Sequence, residues 1–280
     1  MSGRGDAGAP SSLSATRGAP SPAELREAAI ELAREAGAIV HEGYRREHAP
    51  ELKRPKDLVT EFDRRSEAAL LAAIARRFPD HAVLAEESGA HAGRSAPVRW
   101  LIDPLDGTTN FAHNYPFFCV SVAAEDAAGL AGAAVYDPVR DEMFAAARDH
   151  GATLDGAPIH VSAIEQVEDA LLVTGFPYGI RESRDAILPL FEAFLIRAQG
   201  IRRDGSAALN LCYLAMGRFD GFWESDLAPW DMAAGTLIVR EAGGTITRFD
   251  GGTFDLAGRE ILGSNGIVHD EMREIIAGAR

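Results

Sequence analysis

The stretch Trp100-Leu101-Ile102-Asp103-Pro104-Leu105-Asp106-Gly107-Thr108-Thr109-Asn110 decides how this chain is read. An apolar strand runs directly into two aspartates, a glycine and two threonines. Carboxylates at a strand end can meet a metal ion, and Asp103 and Asp106, three apart across a proline turn, can point into one space. The Leu105 carbonyl offers a third oxygen, which completes the all-oxygen kind of set that hard cations such as magnesium take. Gly107 permits close backbone approach, and the amides of Gly107 to Thr109 can present a nest that fits a phosphate. The same letters also spell an ordinary strand-ending turn, where Asp, Pro and Gly are common.

Two further acidic stations shift that balance. Glu86-Glu87 follows the apolar run Ala82 to Ala85, again at the end of an expected strand. Asp231, in Trp230-Asp231-Met232-Ala233-Ala234-Gly235, stands at the N-terminus of an expected helix. In isolation the glutamates read as a solvated pair, and Asp231 as an acid favoured by the helix dipole.

The surrounding pattern predicts layered α and β structure. Residues 1–20 are mostly Gly, Ala, Ser and Pro and are expected to form a loose tail. A first helix should begin at Ser21, where Ser21-Pro22-Ala23-Glu24 combines an N-cap, a proline at the first helical position and a capping-box acid. Leu25, Ala29, Leu32, Ala36 and Ile39 mark its apolar face. A second helix should follow Thr60, with Asp63 as capping partner and Leu70, Leu71, Ile74 and Phe78 behind it, and should stop at Pro79-Asp80.

Strands are expected at 82–85, 100–102, 118–124, 130–136 and 143–147, with a hairpin signal at Asp155-Gly156. Helices return at 187–198, 207–216 and 232–242. Two helices, then a run of strands, then alternating elements argue for an α+β layered domain rather than a doubly wound sheet. No internal repeat or Pro- and Ser-rich linker divides residues 21–280, so a single domain is expected.

Bulk properties exclude several classes. With 280 residues and 46% apolar content the chain can bury a sizeable core. Its 28 basic against 42 acidic residues leave a net charge of -14, which argues against a nonspecific nucleic-acid binder. Cys119 and Cys212 are too few for a disulfide framework, which fits a reducing compartment. Neither a membrane-length apolar run nor a signal-peptide stretch is present, so a cytoplasmic protein with no membrane partner is expected. His81, His91 and His113 are isolated and receive no role.

Taken in order, Asp57-Leu58-Val59-Thr60-Glu61-Phe62-Asp63, Ala85-Glu86-Glu87-Ser88, Asp103 to Phe111, Gly205-Ser206-Ala207-Ala208 and Trp230 to Gly235 resemble the inositol monophosphatase family. The likeness runs from Lys53 to Asn265. It implies an αβαβα sandwich of the inositol monophosphatase / fructose-1,6-bisphosphatase type, usually a homodimer. It also implies lithium-sensitive, magnesium-dependent hydrolysis of phosphate monoesters.

Carried over by position, the resemblance assigns Glu86, Asp103 and the Leu105 carbonyl to one magnesium. It assigns Asp103, Asp106 and Asp231 to a second, and Glu86 also to a weaker third. Thr108, hydrogen-bonded to Asp63, would position the attacking water with Glu86; Asp63 retains its capping role beside this one. Lys53 matches a basic loop position near the metals, whereas Lys56 reads as a solvated charge.

Substrate contacts fall to Asp106, Gly107, Thr108, Ser206, Ala207 and Glu224, the last as acceptor for inositol hydroxyls. Arg203 is placed near the pocket or in solvent. The continuation Thr109-Asn110-Phe111 resembles inositol monophosphatases more than nucleotide or sulfur-assimilation phosphatases, which tend to continue with Lys-Glu. The expected reaction is therefore myo-inositol monophosphate to inositol and phosphate. Histidinol phosphate, fructose 1,6-bisphosphate or another sugar phosphate are the alternatives on the same scaffold, and a non-catalytic regulatory binding protein is the reading outside enzymes.

Overall fold

A computed structural model describes residues 19–46, 49–93 and 97–280, so nearly all of the expected tail over 1–20 lies outside the described residues. Helix α1 (Pro22–Gly43) starts where the sequence signals it: the Glu24 amide donates to Ser21 Oγ over 3.3 Å, and the Ser21 amide to Glu24 Oε2 over 2.8 Å. A hairpin, β1 (Glu51–Arg54) and β2 (Asp57–Val59), leads into α2 (Glu61–Arg77), which is capped by Thr60 and Asp63.

The first large sheet takes β3 (Ala82–Ala85), β4 (Gly89–His91), β5 (Arg99–Asp106), β6 (Cys119–Asp126), β7 (Gly129–Asp137), β8 (Glu142–Ala147), β9 (Ala152–Leu154) and β10 (Ala157–Pro158). Their spatial order is β10-β9-β8-β7-β6-β5-β3-β4, with only the β3–β5 pair parallel among the described residues. Asp155 and Gly156, at φ 50° and 81°, make the tight turn between β9 and β10. Both φ values are positive, as a two-residue turn matched to strand twist requires.

The second sheet holds β11 (Leu171–Thr174), β12 (Gly200–Arg202), β13 (Gly221–Ser225), β14 (Thr245–Thr247) and β15 (Glu260–Ser264) in the order β12-β11-β13-β15-β14. The remaining helices are α3 (Thr108–Ala112), α4 (Ile180–Leu195), α5 (Ala207–Ala215), α6 (Pro229–Glu241) and α7 (His269–Ala279).

Side-chain alternation sorts these elements into five layers. In the first sheet Trp100, Ile102, Val122, Ala134 and Met143 pack with Leu25, Leu32 and Ile74 of α1 and α2. Their neighbours Leu101, Ala123, Val135 and Phe144 turn to the other face and pack with α5 and α6. The second sheet repeats the pattern: Val173, Phe222 and Ile261 join α5 and α6, while Leu172, Trp223 and Leu262 meet Phe194 of α4 and Met272 of α7. Period-two alternation in both sheets therefore places a helix pair between them and another pair on each outer face, the αβαβα sandwich.

Three elements depart from the periodicity. Helix α3 is a single short turn inside the motif and has no apolar repeat to announce it. Helix α4 begins at Ile180 rather than Ile187, because its first turns, Arg181 to Asp185, are polar and largely exposed. Helix α6 begins at Pro229 rather than Met232, which puts Asp231 in its first turn. No helix among the described residues is long and apolar enough to cross a membrane.

Candidate active site

On a regular strand, residues three apart face opposite sides of the sheet. Asp103 and Asp106 do not, because β5 carries an irregularity against β6: Asp103 sits opposite Ser121 and Asp106 opposite Cys119. Three steps on one strand thus match two on the other. The extra residue, at Pro104-Leu105, is a bulge that returns Asp106 to the face of Asp103. Proline suits this place because it has no ladder hydrogen to donate. The Pro104 carbonyl accepts instead from Ser66 Oγ, over 2.9 Å. Gly107 then turns the chain into α3 at φ 96°, and a Cβ there would lie 3.0 Å from the Phe117 carbonyl, so glycine answers both the conformation and the space.

Four carboxylates meet here, Asp103 and Asp106 from β5, Glu86 from the end of β3 and Asp231 from α6, at one end of a cleft of about 730 Å³. The chain's own donors engage one oxygen of each. Asp103 Oδ1 accepts from the Leu105 amide over 2.9 Å. Asp106 Oδ2 accepts from Ser206 Oγ over 2.6 Å and from the Ala208 amide over 2.8 Å, at the start of α5. Asp231 Oδ2 accepts from the Ala228 amide over 2.7 Å, and Glu86 Oε1 from Lys53 Nζ over 2.8 Å. Lys53 also binds Glu87, so the β1–β2 hairpin is tied across the site.

The electrostatics are those of crowded like charges. Burial first, and then the charges of Glu86, Asp106 and Asp231, push the Asp103 carboxyl well above the usual range. Burial raises Asp231 likewise, followed by Asp106 and Glu86. Asp106 is raised to about 6: burial dominates, and the donors Ser206 and Ala208 offset part of it. Burial opposes the charge on Lys53, but Glu86 and Glu87 outweigh it and hold the ammonium above its ordinary range.

Asp63 serves two threonines at once. Its Oδ2 accepts from the Thr60 amide and hydroxyl over 2.8 and 2.6 Å, which caps α2. Its Oδ1 accepts from Thr108 Oγ1 over 2.8 Å, and the same hydroxyl stands 3.0 Å from the Leu105 carbonyl.

The far wall of the cleft belongs to the second sheet. Glu224 on β13 is buried, accepts no hydrogen bond among the described residues, and is raised by burial to about 8, with Arg203 working against the shift. Arg203 is exposed and lies over the Phe176 ring, 5.8 Å from its centroid. Ala207 lines the cleft. The hydroxyl proton of Ser206, expected at a sugar ring, is turned to Asp106 instead, while its oxygen caps α5 by accepting from the Leu209 amide over 3.3 Å.

Two of the unassigned histidines have local partners: His81 Nδ1 accepts from Trp100 Nε1 over 3.0 Å, and His91 Nε2 lies 2.7 Å from Ser88 Oγ. Gly175, beside Glu224, and Cys119, 3.6 Å from Ser206 Oγ, carried no signal in the sequence because their neighbours are distant along it.

The donor set fits a hard divalent cation. All candidate ligands are oxygens, and the oxygen of Glu86, Asp103, Asp106 and Asp231 that the chain's donors leave is the one available to an ion. No three His, Cys, Asp or Glu side chains among the described residues are already closed on a single point, so an ion would draw the carboxylates together.

The sequence profile of the inositol monophosphatase family matches residues 21–280. A Synechocystis sp. protein named inositol-1-monophosphatase is 46% identical over 261 residues, covering 92% of this chain and 91% of that protein. A Vibrio cholerae protein named Nus factor SuhB is 42% identical over 241 residues, covering 85% of this chain and 90% of that protein. The crystal structure of the extragenic suppressor protein suhB from Bartonella henselae superposes with a TM-score of 0.86 at 36% identity, covering 89% of this chain and 97% of that one.

Proposed function

The chain belongs to the inositol monophosphatase family, and on that premise we propose that it hydrolyses a small phosphate monoester, myo-inositol monophosphate first, with magnesium as cofactor. The observation that carries this reading is the four-carboxylate cluster, in which each acid is anchored by one oxygen at the end of the cleft. Glu86, Asp103, the Leu105 carbonyl, Asp106 and Asp231 would hold the cations. When bound, these supply the positive charge that phosphoryl transfer needs, neutralising phosphate oxygens and acidifying water.

The chain's own groups do the rest. Thr108 gives its proton to Asp63, so its lone pairs are free to accept from a water and fix the line of attack on phosphorus. Glu86 is the second acceptor for that water. The amides of Gly107 and Thr108 face the phosphate, and Ser206 keeps Asp106 from turning. Across the cleft, Glu224 accepts from hydroxyls of the leaving alcohol, with Ala207 beside it.

A homodimer working in the cytoplasm is part of the same proposal, supported by the family likeness and by the two buried free cysteines. The test is phosphate release from a panel of myo-inositol monophosphate, histidinol phosphate and fructose 1,6-bisphosphate, with magnesium and after chelation. Turnover of the inositol ester that disappears on chelation and returns with magnesium is expected. Full turnover in metal-free protein would refute the cofactor, and a preference for another ester would replace the substrate. Tight metal binding without turnover of any ester would point to a regulatory protein.

A further inference from the structure

Thr174 is paired with Trp223 in the parallel β11–β13 ladder, so the next step along both strands sets Gly175 beside Glu224. A Cβ built on Gly175 would lie 2.0 Å from Glu224 Oε1 and 2.2 Å from its Cδ and Oε2. The space a side chain would need at residue 175 is filled by the carboxylate of Glu224. Both residues line the cleft.

The backbone does not call for glycine here. The φ of Gly175 is not positive, so the left-handed conformation that favours glycine is not what this position requires. What a side chain would displace is the far end of a flexible glutamate, and no hydrogen bond from the described residues pins that end in place.

We propose that Gly175 is a specificity-determining residue, whose missing side chain opens the berth from which the Glu224 carboxylate faces the leaving alcohol. The proposal rests on the reading of Glu224 as acceptor for substrate hydroxyls. Gly175 acts only through Glu224, as a positioning residue. A methyl group at this site would swing the carboxylate out of the cleft while leaving the metal-binding acids on the first sheet and α6 where they are.

The measurement is the ratio of kcat/KM for myo-inositol 1-phosphate to that for p-nitrophenyl phosphate, whose leaving group has no hydroxyl to donate from a polyol ring. Glu224→Gln should lower this ratio about tenfold, through KM for the inositol ester. Gly175→Ala should lower it by a similar factor, and the double variant should lose no more than Glu224→Gln alone, because both changes remove one contact. Glu224→Asp placed in the Gly175→Ala background should recover part of the ratio, since the shorter acid clears the methyl.

A ratio lowered by Glu224→Gln but untouched by Gly175→Ala overturns the inference and leaves the function standing. A ratio untouched by either shows that Glu224 does not read the alcohol, and both fall. If Gly175→Ala alone melts too low to assay, Glu224→Asp must restore melting temperature and ratio together; failure to do so overturns the proposal.

Discussion

The Thr108 hydroxyl donates to Asp63 Oδ1 over 2.8 Å, which ties the first turn of α3 to the first turn of α2. The acid's other oxygen is occupied by Thr60, so Asp63 has one lone oxygen for the Thr108 proton, the nearer of two acceptors, with the Leu105 carbonyl at 3.0 Å. Both residues are buried.

Thr108→Val keeps the shape and removes the hydroxyl. The expected result is a fall in kcat of roughly a hundredfold or more, with KM for magnesium unchanged. Stability should drop by about 1–3 kcal/mol because Asp63 Oδ1 loses its donor in a buried place. Thr108→Ser should restore most of both. Wild-type kcat in Thr108→Val would reduce the hydroxyl to a structural tie.

Asp231→Asn removes one charge from the cluster and keeps an oxygen for the Ala228 amide. Two like charges about 4 Å apart cost on the order of 4 kcal/mol at an effective dielectric near 20. Loss of helix N-terminal stabilisation opposes this by only about 0.3–1 kcal/mol. In chelator the variant should therefore melt higher than wild type, and in magnesium it should gain less and turn over far more slowly. A variant that melts lower in chelator and keeps its magnesium response makes Asp231 a helix cap and removes it from the metal site.

The pH dependence of the metal-free protein has a definite sign. Burial leads in raising Asp103, Asp106 and Asp231, with Asp106 at about 6, and it raises Glu224 to about 8. The folded state thus binds protons that the unfolded chain has released. From the ordinary carboxyl range near about pH 4 up to about pH 8, these groups make stability fall as pH rises. Melting in chelator should be higher at about pH 5.5 than at about pH 8, and magnesium should shrink that difference by holding the acids ionised. The reverse order in chelator would show that burial does not keep these carboxyls protonated in the folded protein.

Lithium matches magnesium in size and carries half the charge, so it can enter the Asp103, Asp106 and Asp231 group without neutralising a departing phosphate. Inhibition at millimolar lithium and subsaturating magnesium is expected in steady-state phosphate release. Unchanged rates would count against the second cation position.

How much of this was legible in the letters differs from residue to residue. The layered α and β character was, because short apolar runs between turns and capped amphipathic helices carry their own signals, while the αβαβα order came with the family resemblance. Asp103 and Asp106 were visible as a pair, but the bulge that makes them share a face is set by Ser121 and Cys119 on the neighbouring strand. From their own neighbourhoods Glu86 and Asp231 read only as acids at the ends of elements, and it was the family resemblance that set them at the metals; stacking of the layers brings them together. The start of α4 and the whole of α3 escaped because neither has an apolar repeat. The Gly175–Glu224 contact escaped because no local pattern links residues on separate strands.

Gly235 on α6 faces Leu211 on α5 so closely that a Cβ there would lie 2.5 Å from the leucine Cβ. This helix pair is the spacer between the two sheets, and its thickness sets the gap between the four-carboxylate end of the cleft and the wall that carries Glu224. The molecule is in this sense a caliper: under the proposed function, the Glu224 jaw could be recut for a new leaving group while the carboxylate jaw kept its hold on phosphate, provided that the spacer at Gly235 holds its gauge.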